Sequence, residues 1–100
     1  MSDFYMLDNR KAVRCDLHTW GETMGVPDAR RVGDTIIGNL RISTMFLGLD
    51  HQLGHGPPLL FESMAFGLPK DEDEWRERCT TWEQAEAMHA AMCERAHALL

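Results

Sequence analysis

The chain of 100 residues has no apolar run approaching the ~20 residues that a membrane helix needs. Its first residues also lack the basic-then-apolar pattern of a secretory leader. No basic cluster is present: ten Lys and Arg stand against sixteen Asp and Glu, a formal net charge of −6. Phosphate neutralisation is the main source of nucleic-acid affinity, so the composition argues against a nucleic-acid partner as well as a membrane. Cysteine is sparse and odd in number, with Cys15, Cys79 and Cys93 and no CxxC pair. That points to a reducing cytoplasm rather than a disulfide-stapled secreted domain. Each cysteine reads as a small buried hydrophobe; Cys79, beside Arg78, comes closest to the cationic setting a nucleophilic thiol requires. The chain also lacks GxSxG, GxGxxG, P-loop and HExxH motifs, so acyl transfer, nucleotide binding and zinc proteolysis have no signature to stand on.

What is present is ordinary for a globular domain: 44% hydrophobic and 26% charged residues. The length suits one domain, residues 1–100, and folding can bury roughly two-thirds of the extended-chain surface. Phe4–Leu7 and Ala12–Cys15 read as short strands around a polar turn, where Asp8 and Asn9 suit the turn chemistry. Asp16 is placed to cap a helix running through Thr23 or Met24, with Leu17, Trp20 and Met24 on one face. Gly25-Val26-Pro27-Asp28 ends it.

The strongest pattern follows. Arg31–Ile37 and Leu40–Leu49 are β-rich runs joined by Gly38-Asn39, a two-residue loop suited to a type II′ hairpin. Leu40, Ile42, Thr44 and Phe46 share one face of the second run. Pro58–Phe66 forms a third strand, whose inner set is either Leu60, Met64 and Phe66 with Glu62, or Leu59, Phe61 and Ala65 with Ser63. Lys70–Glu77, with five acids and two bases around Trp75, reads as a solvated linker. Thr80 with Glu83 and Thr81 with Gln84 both match the capping box that opens a helix. Trp82, Ala85, His89, Met92, Ala96 and Leu99 then make one stripe, and His89 reads as a satisfied core histidine. The expected fold is α+β: an N-terminal hairpin, a short helix, a three-stranded antiparallel meander and a C-terminal covering helix.

Candidate chemistry gathers in the connection Gly48–Pro58. Asp50, His51 and His55 are residue types that hold zinc or another divalent metal, and Gly54 and Gly56 let the loop fold back. Glu62, a carboxylate within an apolar strand, needs a donor if buried. Arg41 on the neighbouring strand is the expected donor, and both join the candidate ligand-binding set. In a metal-dependent hydrolase, Glu62 is the candidate base.

Three segments carry a resemblance: Arg41-Ile-Ser-Thr-Met-Phe-Leu-Gly-Leu-Asp-His51, Gly56-Pro-Pro-Leu-Leu-Phe-Glu-Ser-Met-Ala-Phe-Gly67, and Thr80-Thr-Trp-Glu-Gln-Ala-Glu86 with His89. Together they span residues 41–89, about half the chain. The pattern resembles small proteins of unassigned activity encoded by tailed bacteriophages and prophages, with Leu53 where an aromatic is expected and Thr80 where Ser is usual. The resemblance implies a phage or prophage origin and action in the bacterial host cytoplasm, and it places Asp50, His51 and Glu62 inside the shared motif.

The reading favoured by the sequence is a small accessory protein without a cofactor that binds a host protein, such as a defence component, or a small ligand held by the 50–57 loop. The alternatives are the metal-dependent hydrolase and a homodimeric assembly protein paired through an exposed strand edge.

Overall fold

Two tight turns and two capped helices set the frame of the computed structural model, which describes residues 4–100. Strands β1 (Tyr5–Asp8) and β2 (Lys11–Arg14) pair antiparallel, with Asp8 opposite Lys11. The turn is therefore only Asn9-Arg10. Both residues are left-handed, with φ of 51° and 69°, as a type I′ hairpin requires. Tyr5 N–H donates to the Gly48 carbonyl at 2.9 Å and Phe4 bridges to Leu49, which fastens this hairpin to the rest of the fold.

Helix α1 (Leu17–Met24) starts where expected: the Thr19 N–H donates to Asp16 Oδ1 at 2.8 Å. A single-turn helix α2 (Pro27–Arg30) follows, in a place where the sequence suggested only a break. Pro27 opens it, a position where the missing N–H costs nothing.

A four-stranded antiparallel meander forms the main sheet: β3 (Arg31–Ile37), β4 (Leu40–Phe46), β5 (Phe61–Phe66) and β6 (Arg76–Cys79), in that spatial order. The β3–β4 turn places Gly38 at φ +60°, the conformation expected for the first loop residue. Leu40, Ile42, Thr44 and Phe46 are all buried along β4. On β5 the inner set is Phe61, Ser63 and Ala65, which settles the alternation left open by sequence and sends Glu62, Met64 and Phe66 to the other face.

The expected three-stranded meander is corrected to four strands. Arg76 and Glu77 belong to β6 rather than to a linker, and β6 pairs with β5 from Phe61↔Cys79 to Met64↔Arg76. A strand reading Arg-Glu-Arg-Cys does not look like one by hydropathy. It holds because its two arginines meet Glu62 across the ladder, and a short charged strand is a normal sheet edge. Trp75 just before it is buried, stacked beneath the Arg95 guanidinium at 3.9 Å and donating to Glu72 Oε1 at 3.1 Å.

Helix α3 (Trp82–Leu99) covers the inner face. Its cap is Thr81, not Thr80: the Gln84 N–H donates to Thr81 Oγ1, and the Thr81 N–H donates back to Gln84 Oε1, both at 3.1 Å. The buried line is Ala85, Met88, Met92 and Ala96. Met88 joins the expected stripe as a buried residue, while Leu99, at the helix end, is 41% exposed. The apolar core falls into two clusters. One is built on Ile37, Ile42, Ala65, Trp75 and Met92, the other on Tyr5, Phe46, Leu60, Phe61 and Ala85. Thr44, Ser63 and His89 lie between them along β4, β5 and α3. No helix among the described residues is long and apolar enough to cross a membrane.

Candidate functional site

The residues singled out in the 50–57 loop hold the loop itself together. Asp50 Oδ1 accepts from the Gln52 N–H at 2.8 Å and from the Leu59 N–H at 3.0 Å, while the His51 N–H donates to the Leu59 carbonyl at 3.0 Å. One carboxylate thus clamps both ends of the loop, which is what Asp does at turns. His55 and Leu53 at the tip are exposed, Leu53 almost fully at 99%. Among the described residues no group of three or more His, Cys, Asp or Glu is gathered as a metal site, so Asp50, His51 and His55 are not brought together as one.

Glu62 and Arg41 do not pair, contrary to expectation. The register sets Glu62 opposite Met45 and Arg78, and Arg41 opposite Ile36 and Phe66, too far along the strands to meet. Glu62 instead accepts from Arg78 Nε at 2.8 Å, with Arg76 Nε at 3.7 Å. Arg41 makes a two-pronged contact with Asp34, 2.9 Å on each prong. That fork is the stronger kind of exposed ion pair, and the Arg41 hydrogen bond holds the Asp34 carboxyl below the usual carboxylate range.

Burial pushes the Cys79 thiol up, not down, the opposite of the shift a nucleophilic thiol needs; the thiol donates to the Thr81 carbonyl at 3.7 Å.

His89 is the centre of a relay that pairwise patterns do not reveal. Its Nε2 lies 2.9 Å from Thr35 Oγ1 and its Nδ1 2.7 Å from Thr44 Oγ1, and Thr44 Oγ1 lies 2.6 Å from Ser63 Oγ. Thr44 and Ser63 are fully buried. Two concerted arrangements satisfy the chain. Ser63 donates to Thr44, Thr44 to Nδ1 and Nε2–H to Thr35, or each bond reverses. Gly33, at the bulge in β3, leaves room for the ring: a Cβ there would stand 2.8 Å from His89 Nε2. Burial lowers the His89 pKa, opposed in part by the Asp34 carboxylate. With both ring nitrogens engaged and the ring packed against backbone, this relay is core architecture, as the sequence reading of His89 expected.

The arrangement with ligand-binding chemistry lies elsewhere. A cleft of about 410 Å³ opens between the β1–β2 turn and the start of α3, walled by Tyr5, Pro58 and Trp82 and rimmed by Arg10, Lys11 and Glu83. The size falls in the range of small-molecule sites. The Arg10 guanidinium lies over the Trp82 ring, 5.3 Å from its centroid, and Phe61 meets the same ring edge-on at 6.2 Å. The capping box leaves the first helical amides, those of Trp82 and Glu83, without intrahelical acceptors, as at any helix start. The Trp82 Nε1–H is sealed from water and has no acceptor.

Arg10 is also the one strained choice in the turn. A side chain at φ 69° costs ~1–2 kcal/mol, and Gly is the usual occupant there. None of these residues was a candidate site residue in the sequence reading, which placed Trp82 in the helix stripe and Glu83 in a capping box. The one available signal was Arg10-Lys11 placed directly after Asn9, where turn chemistry favours Gly. Comparison with known proteins finds no matching family model, no matching curated protein and no matching solved structure.

Proposed function

We propose that the chain is a binding protein whose site is the cleft between the hairpin turn and α3, and that it takes a small anionic ligand with a flat apolar part. The observation that carries this reading is Arg10, held in a strained conformation over Trp82 at the mouth of the cleft. Strain retained at one residue is characteristic of functional positions. Here it aims a guanidinium and an indole at the same space.

Charge supports the same reading. The chain carries −6 overall, yet this rim places Arg10 and Lys11 beside a single acid, Glu83. The positive end of the α3 dipole adds to them. This rim therefore carries a local positive balance that favours an anion. The ring of a ligand then has Tyr5, Pro58 and Trp82 to lie against, which supplies the apolar part of the affinity. The motif resemblance extends the proposal to a small accessory protein of phage or prophage origin, working in the host cytoplasm by binding rather than by catalysis.

The test is an NMR titration of the Trp82 indole N–H with phenyl phosphate, using benzyl alcohol as the uncharged control. Phenyl phosphate is expected to shift that resonance saturably, and more weakly as salt is raised. Equal shifts from both compounds, or none from phenyl phosphate at millimolar concentration, would remove the cleft from consideration.

A further inference from the structure

Arg30 stands apart from the other arginines. Among the described residues, Arg10, Arg14 and Arg95 each lie over an aromatic ring, and Arg31, Arg41, Arg76 and Arg78 each meet a carboxylate. Arg30 has neither. Its residue is partly buried, and its Nε–H is sealed from water without an acceptor. A sealed Nε–H without an acceptor forfeits the hydrogen bond that normally offsets its desolvation.

It also lines a second cleft, of about 310 Å³, between α1, α2, β1 and the end of β4. The walls are apolar: Leu7, Met24, Val26 and Phe46. Val26 is 53% exposed, so the apolar surface continues out of the cleft to solvent. Glu22 lies on the rim, but its carboxylate is turned to His18 Nε2 at 2.7 Å and forms no ion pair with Arg30.

From these features we propose that the α1–α2 cleft is a second binding site, for a monocarboxylate with a short aliphatic tail. The tail lies against Leu7, Met24 and Phe46, and the carboxylate engages the Arg30 guanidinium. Arg suits this task because its planar fork matches a carboxylate. The site stands apart from the cleft at Trp82 and does not depend on it.

The experiment is a titration of the protein, labelled at its methionine methyl groups and Trp indoles, with octanoate below its micelle concentration and with 1-octanol as the uncharged control. Met24 reports on this cleft and Trp82 on the other. Octanoate is expected to shift the Met24 methyl saturably and to bind at least about tenfold more tightly than octanol, the scale of a charge-assisted pair. Arg30→Gln is expected to bring octanoate down to the affinity of octanol without changing octanol binding. Octanoate and octanol binding alike to the unaltered protein would overturn the proposal. So would shifts at Trp82 with none at Met24, or full octanoate affinity in R30Q. The acid-to-alcohol comparison needs no variant, so it decides even if R30Q folds poorly.

Discussion

Thr44→Val tests whether the relay between the two core clusters carries stability. The substitution keeps the shape and removes one hydroxyl that makes two short hydrogen bonds, 2.6 Å to Ser63 Oγ and 2.7 Å to His89 Nδ1. Both partners remain, and Ser63 has no access to water. Leaving a buried polar group unsatisfied costs about 1–3 kcal/mol each. The added methyl returns up to about 0.8 kcal/mol of apolar burial. The net loss is therefore about 1–5 kcal/mol, against the 5–15 kcal/mol that stabilises a typical domain. For a chain of this length that lowers Tm by roughly 5–25 °C. Urea unfolding followed by tryptophan fluorescence measures the difference. Adding Ser63→Ala removes one orphaned partner, so the double variant is expected to lose less than the sum of the two single changes. A T44V protein within 0.5 kcal/mol (about the scatter of a neutral surface change) would refute the reasoning, because the relay would then be satisfied some other way.

Two further predictions concern charge. The His89 pKa is lowered by burial, so the folded state favours the neutral ring. Stability from this residue is complete above the unfolded value of about 6.5 and is lost as pH falls through that value towards the folded one. Urea midpoints between pH 8 and pH 5 should fall with that slope, and the His89 ring should titrate below 6.5 by NMR. Glu62→Gln should cost about 1–2 kcal/mol of stability by loosening β6, since Glu62 is only 16% exposed and holds Arg78 at 2.8 Å. It should leave phenyl phosphate binding at the Trp82 cleft unchanged; a change there would show that the outer sheet face communicates with the cleft.

Much of the fold was legible because its signals are local. The alternation in Leu40, Ile42, Thr44 and Phe46, the Gly38-Asn39 turn, the Asp16 cap and the Thr81–Gln84 box each act within a few residues, and each occupies its expected place. Strand β6 was not legible, since Arg76 and Arg78 are strand residues only because Glu62 lies across from them. The chemistry was less legible still. Asp50 and His51 drew attention as potential ligands, yet their hydrogen bonds go to the loop backbone. The Trp82 cleft joins a hairpin turn to a helix start that are distant in sequence, so its cations read as turn filler until the fold brought Arg10 over the ring.

The central claim is that Arg10 is kept for binding and not for folding, and Arg10→Gly separates the two. Glycine relieves the left-handed strain of about 1–2 kcal/mol. It gives back about 0.5–1 in unfolded-chain entropy and about 0.5–1 in the lost contact with Trp82. Stability should therefore stay within about 1 kcal/mol of the original. Calorimetric titration with phenyl phosphate, run beside urea unfolding of the same samples, should show affinity falling at least about tenfold, the scale of a lost charge-assisted contact. Unchanged affinity in a stable R10G protein would contradict the account.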